Sequence, residues 1–133
     1  MRKLTLVAFI ALIVALGASA SAQQPDGTAQ GADIPNMGRA PAGPNAIGRL
    51  DARVFDEAGR PVNGAYLKLD SQRTDGFFCE SWNSTDERGV AVLPPLHMGR
   101  LRLTVKAKGY ETQKLNIDPG TLNEPVRITL KKD

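Results

Sequence analysis

The chain has one cysteine and one histidine in 133 residues, and aromatic residues make up only 5% of it. A lone cysteine, Cys79, excludes an internal disulfide. Such a thiol is either buried and inert or paired with another chain. A lone histidine, His97, argues against a catalytic zinc site, which draws on several His, Cys and acidic ligands. A catalytic Ser-His-Asp or Cys-His arrangement also needs a third group to orient the base. His97 stands instead in "LPPLHMG", a Pro-rich stretch that reads as an exposed loop. Amphipathic helices are missing too: no segment after residue 22 repeats its apolar residues at helical spacing.

A charge excess is also lacking. The formal net charge is +3, and Arg2 and Lys3 lie in an N-terminal segment that is expected to be removed, which leaves +1. A near-neutral chain gives no electrostatic case for nucleic acid, which needs a basic face. That N-terminal segment has a short positive start, the uncharged run "LTLVAFIALIVALGASA" and a small-x-small "ASA" at Ala20-Ser21-Ala22. These are the three parts of a secretory signal, so residues 1–22 are expected to be a cleaved signal peptide. The expected address is periplasmic or secreted, with no stable membrane span after cleavage.

Residues 23–46, "QQPDGTAQGADIPNMGRAPAGPNA", are rich in Gly, Pro, Ala and polar side chains and have no apolar period. Little here offsets the entropy of ordering, so a disordered linker is expected. A folded domain is expected over 47–132.

Within that domain the period is two. Leu50, Ala52 and Val54 alternate with Arg49, Asp51 and Arg53. Ala65, Leu67 and Leu69 alternate with Tyr66, Lys68 and Asp70. Leu101, Leu103 and Val105 alternate with Arg102, Thr104 and Lys106. Leu115 pairs in phase with Ile117, and Val126, Ile128 and Leu130 share one face. Strict alternation marks strands with one buried and one wet face, and it fixes their register. "FFCESW" and "VAVL" add two strands. Seven short strands broken by Gly and Pro turns indicate an all-β, antiparallel sandwich. Burial of one Leu, Ile or Val stabilises by roughly 1.5–3 kcal/mol, so a dozen inward aliphatics suffice without metal or disulfide.

The turns have backbone reasons. In "FDEAGRPVNG", Asp56 can accept from nearby N–H groups, Gly59 suits a positive φ, Pro61 cannot donate to a ladder, and Gly64 lets the chain bend. Asp86, Gly89, Gly99 and Gly109 read as turn residues in the same way. No nucleophile stands beside a base in this stretch.

V-x-D-x-x-G-x-P-V-x-G-A-x-L-x-L resembles the opening of carboxypeptidase regulatory-like domains. "TDERGVAVLPPLHMGRLRLTVKAKGY" and "VRITLKK" are similar to that family's second block and last strand. The resemblance implies a transthyretin-like Greek-key β-sandwich over 47–132. It implies a non-catalytic accessory or structural module rather than an activity. Ring-opening aromatic dioxygenases of similar fold hold iron with two Tyr and two His, and transthyretin-like ureide hydrolases use several His. One histidine meets neither requirement. Related adhesin sandwiches form Lys-Asn or Lys-Asp isopeptide bonds, but Lys68 and Lys106 fall on the polar face.

Asp70, Asp75, Glu80, Asp86 and Glu87 are scattered and lack EF-hand spacing, so calcium is not expected. No cofactor or metal is expected, and an enzyme with Cys79 or Ser81 as nucleophile has no support. Phe77, Phe78, Cys79 and Trp82 form the most distinctive group, in a segment foreign to the family pattern. The expectation is that Trp82 and one Phe close an open end of the core. The alternatives are a surface for an envelope protein or a platform for a glycan.

Overall fold

The computed structural model describes residues 34–133, so the expected signal at 1–22 and residues 23–33 lie outside it. Nine strands occur in chain order among the described residues. They are β1 (Ile47–Gly48), β2 (Asp51–Asp56), β3 (Tyr66–Gln72), β4 (Phe78–Ser84), β5 (Val90–Val92), β6 (Leu96–His97), β7 (Arg100–Lys106), β8 (Gln113–Ile117) and β9 (Val126–Leu130). One 3-10 turn, Pro119–Thr121, precedes β9. The chain is all-β and sandwich-like, with a three-stranded sheet β5-β2-β9, a four-stranded sheet β4-β3-β7-β8 and a small pair β1-β6. Five of these strands coincide with the apolar alternations in the sequence, and β4 and β5 with the strands read at "FFCESW" and "VAVL". The added β1 and β6 are two residues each, too short to show a period.

The sheets are not antiparallel throughout, as the sequence reading had it. β2 and β9 run parallel, with Ala52 opposite Val126 and Val54 opposite Ile128. Alternation reports which side chains share a face and carries no strand direction.

Leu67, Leu69, Leu101, Leu103 and Val105 from one sheet meet Ala52, Val54, Ile128 and Leu130 from the other in a single core. Their alternates Arg102 and Lys106 are exposed, so the register is the expected one. Ser71 continues the buried row of β3. Its hydroxyl donates to the His97 carbonyl and accepts from the Gly99 N–H, both at 2.8 Å, and so ties β3 to the β6–β7 connection.

The same turn is built twice. Asp56 Oδ1 accepts from the N–H groups of Ala58 and Arg60, and Gly59 donates back to the Asp56 carbonyl. Asp86 Oδ1 accepts from Arg88 and Val90, and Gly89 donates to the Asp86 carbonyl. Gly59 and Gly89 have φ of 84° and 76°, the left-handed region that disfavours other residues. A Cβ on Gly89 would also come within 2.6 Å of the Val54 carbonyl oxygen. Gly64 and Gly109 likewise have positive φ. Gly99 lies in the bend between β6 and β7, where a Cβ would collide with the Gln72 carbonyl oxygen, so it also permits a close backbone crossing. Pro61 forms an isolated bridge with Phe55, at a strand edge as expected.

Residues 34–46 differ from the expected linker. Arg39 and Arg49 exchange two backbone hydrogen bonds of 2.8 and 2.9 Å, and Met98 donates to the Ala46 carbonyl. The Asn36 side chain donates to the Asn123 carbonyl, and Ala40 N–H donates to Asn123 Oδ1. This strap crosses the outer side of β2, where Asp51 and Arg53 are buried rather than wet. Arg53 grips Asp51 through Nε–Oδ1 at 2.8 Å and Nη2–Oδ2 at 2.9 Å. Its Nη2 also donates to the Pro35 carbonyl, and Asp51 Oδ2 accepts from Met37 N–H. The hydrogen bond to Asp51 holds the Arg53 guanidinium above its ordinary pKa, against the opposing effect of burial. A polar, Pro-containing strap has no apolar period, but it satisfies a buried charge pair with backbone groups.

Candidate functional site

The outer face of the four-stranded sheet carries open grooves lined by charged side chains. Alternation in β3 and β7 sends Leu67, Leu69, Leu101 and Leu103 inward and their neighbours outward. Cross-strand register then aligns the outward side chains in rows. Trp82, Lys68, Thr104 and Lys114 form one row, and Glu80, Asp70, Arg102 and Asn116 form the next. Phe78, Gln72 and Arg100 form a third.

Open grooves run over these rows. One of about 880 Å³ lies between Tyr66 and Lys114, with Lys68, Asp70, Arg102 and Thr104 along it. A second of about 290 Å³ shares Asp70 and Arg102 and continues to Phe78 and Arg100. Lys68 Nζ lies 3.7 Å from Asp70 Oδ1 and 4.0 Å from Glu80 Oε2, so it bridges the two carboxylates. Asp70 Oδ1 accepts no hydrogen bond and is shielded from solvent. The Lys68 ammonium is therefore its nearest compensation. Among the described residues, Arg100, Arg102, Lys106 and Lys114 make no ion pair.

The aromatic group is outside the core. Phe77, Phe78 and Trp82 are 67%, 59% and 55% exposed, which overturns the expectation that Trp82 and one Phe cap the sandwich. The reason is register. β4 turns Cys79 and Ser81 inward, so Phe78, Glu80 and Trp82 project outward. Phe77 precedes the strand, at the tip of the β3–β4 hairpin. There the Arg73 guanidinium lies 5.5 Å from its ring centroid, within cation–π range. Asp75 supports this tip: its carboxylate accepts from Phe77 N–H and from Arg73.

The remaining candidates do not assemble into chemistry. Cys79 is half-buried against the core, with its sulfur 3.9 Å from the His97 carbonyl oxygen. His97 lies in β6, with Nδ1 2.8 Å from the Asn45 carbonyl oxygen, which can only accept. Nδ1 therefore carries the proton, and among the described residues no carboxylate bonds to the ring. Ser81 is buried, and its hydroxyl has no hydrogen-bond partner among the described residues. Among the described residues no three or more His, Cys, Asp or Glu side chains converge to hold a metal ion. Asp86 belongs to its turn, and Asp70 and Glu80 are cross-strand neighbours linked by Lys68. Among the described residues no helix is long and apolar enough to cross a membrane.

Sequence reasoning singled out Phe77, Phe78 and Trp82 but did not join them to Lys68, Arg102 and Lys114. The available signal was the charge of the outward positions on β3, β7 and β8, which becomes one surface only when those strands are placed side by side.

No family model matches the chain, and no curated protein matches it. Among solved structures, the chain is similar to 3-chlorocatechol 1,2-dioxygenase from Rhodococcus opacus 1CP, with a TM-score of 0.51 and 14% identity. The match covers 73% of this chain and 64% of that chain, so it spans less than two thirds of the dioxygenase. At this identity the likeness concerns the fold alone and supports the sandwich-like architecture.

Proposed function

We propose that this chain is an exported, non-catalytic β-sandwich module with a structural or protein-interaction role at the cell envelope. In this reading residues 1–22 are a cleaved signal and the domain is a transthyretin-like, carboxypeptidase regulatory-like Greek key. The observation that carries the interaction role is the exposure of Phe77, Phe78 and Trp82 together on β4 and its hairpin. Large aromatic side chains left in water on an edge strand are costly unless something covers them, and Trp and Tyr dominate the energetics of interfaces. The family resemblance in the turns around Asp56 and Asp86 supports a non-catalytic scaffold.

A second reading, a carbohydrate-binding module of starch-binding-like fold, is favoured by one further observation. Phe78 and Trp82 point to the same side of one strand, four residues and about 13 Å apart. Two rings so placed could stack on more than one sugar of a chain.

The test is capture of partners from an envelope extract by wild type and by the double variant Phe77→Ser with Trp82→Ser. Loss of a partner by a folded double variant is the expected result. Retention of every partner would remove the interaction role from this surface.

A further inference from the structure

We infer that the outer face of the four-stranded sheet is a binding face for an acidic polysaccharide, whose carboxylates meet the cationic rows while its sugar rings stack on Trp82 and Phe78. The inference rests on the binding-module reading above and gives it a ligand chemistry.

Charge is the first ground. Lys68, Arg100, Arg102, Lys106 and Lys114 face outward, against only Asp70 and Glu80. Lys68 lies within 4.0 Å of both carboxylates and the other four cations make no ion pair among the described residues, so five cations against two carboxylates leave the face with a formal +3. An open groove with an excess of one sign of charge concentrates the opposite sign in a ligand. The surplus is local, because the chain from residue 23 onward carries only +1. The cations are thus gathered on one sheet face.

The placement of the rings is the second ground. A protein–protein interface commonly puts its apolar residues at the centre and its charges at the rim. Here the order is reversed. Lys68, Asp70, Arg102 and Thr104 occupy the middle of the face, and Trp82 and Phe78 lie along the edge strand. A linear ligand running along β4 can stack on both rings and reach across to Lys68, which stands opposite Trp82.

The third ground separates a sugar acid from other polyanions. Asp70 borders both grooves, with Oδ1 unbonded but shielded and the side chain 22% exposed, and Glu80, 40% exposed, is its outward neighbour. Carboxylates on the face repel every polyanion alike, but they accept from the hydroxyl groups that a sugar chain carries on each residue. A uronic acid chain has both the negative charge that the surplus cations attract and hydroxyl donors for the exposed carboxylate oxygens of Asp70 and Glu80.

The experiment measures binding of the purified chain to polygalacturonate, dextran, polyglutamate and oligothymidylate at low and at physiological salt. Wild type is compared with Trp82→Ala and Lys114→Glu, both at exposed positions. The expected result is binding to polygalacturonate and not to dextran, weakened by added salt. Trp82→Ala should weaken it about tenfold, and Lys114→Glu should weaken it as well, with both variants folded. Polyglutamate and oligothymidylate should bind more weakly, and polyglutamate should be indifferent to Trp82. Polygalacturonate binding that ignores Trp82, or equal binding of polyglutamate or oligothymidylate, would overturn the inference, because charge alone or another polyanion would then explain the face. No binding of polygalacturonate at low salt would overturn it too. In that case, a partner lost from envelope capture with Phe77→Ser and Trp82→Ser would leave the module reading standing without the glycan.

Discussion

The two outer faces of the molecule begin from the same sequence signal and end in opposite states. On β2, Asp51 and Arg53 alternate with Ala52 and Val54. On β7, Arg102 and Thr104 alternate with Leu101, Leu103 and Val105. Read as strands, both carry charge on the side away from the core. Yet Asp51 and Arg53 are buried beneath residues 34–37, whereas Arg102 is exposed on an open groove. Alternation therefore identifies the side that is not core. Whether that side is wet depends on what the rest of the chain lays over it.

The energetic contrast should be large. Asp51→Ala leaves the Arg53 guanidinium buried without its carboxylate and removes the acceptor of Met37 N–H. Breaking a buried pair in this way costs about 3–5 kcal/mol. Arg102→Ala should change stability by no more than about 0.5 kcal/mol, as for a solvated surface position. Urea unfolding of the two variants checks both values, and equal effects would erase the distinction between the faces. Adding Arg53→Met to Asp51→Ala should recover part of the loss, since no charge then remains buried.

A smaller effect isolates the strap from the ion pair beneath it. Asn123 holds the strap from the far side: its carbonyl accepts from Asn36 and its Oδ1 from Ala40 N–H. Asn123→Ala removes only the second of these and should cost about 1 kcal/mol, the scale of one hydrogen bond. Thermal unfolding measures the shift. Faster hydrogen exchange at Ala40 and Met37, with β7 unchanged, would locate the loosening in the strap.

The smallest effect concerns acid. The Arg60 backbone N–H, aided by Ala58 N–H and the Arg60 side chain, holds the Asp56 carboxyl below its ordinary pKa against the effect of desolvation. At Asp86, desolvation pushes the pKa up, but the Arg88 side chain and the Val90 and Arg88 N–H groups outweigh it and the net direction is down. A lowered folded-state pKa gives stability that is present above the unfolded value and lost as pH falls through the folded one. The loss should begin near about pH 4 and continue downward. Asp56→Asn and Asp86→Asn should each flatten this limb slightly in unfolding midpoints measured from pH 6 to pH 2. An unchanged limb would mean that the turns contribute nothing to acid sensitivity.

Much of the fold was legible because its cause is local. The inward rows Leu67–Leu69 and Leu101–Leu103–Val105 follow from period two, and the turns at Asp56 and Asp86 follow from an acceptor three residues before a glycine. What was missed depends on distant chain. The parallel pairing of β2 with β9 leaves no mark in either strand. The ordering of residues 34–46 depends on Arg49, Asp51, Met98 and Asn123 as partners, not on its own composition. For the candidate face, Phe78 and Trp82 could be named but not oriented. β4 has apolar side chains on both sides, and only its pairing with β3 sets Phe78 opposite Gln72 and Trp82 opposite Lys68.

Arginine labelling of the native chain with phenylglyoxal, read by peptide mass spectrometry, tests the contrast between the faces most directly. Arg100 and Arg102 lie exposed on the open sheet, and Arg53 is sealed with Asp51 beneath the strap. The expected result is rapid modification of Arg100 and Arg102 with Arg53 unmodified until urea unfolds the domain. Modification of Arg53 in the native chain at the rate of Arg102 would contradict it, because the two faces would then be equally open.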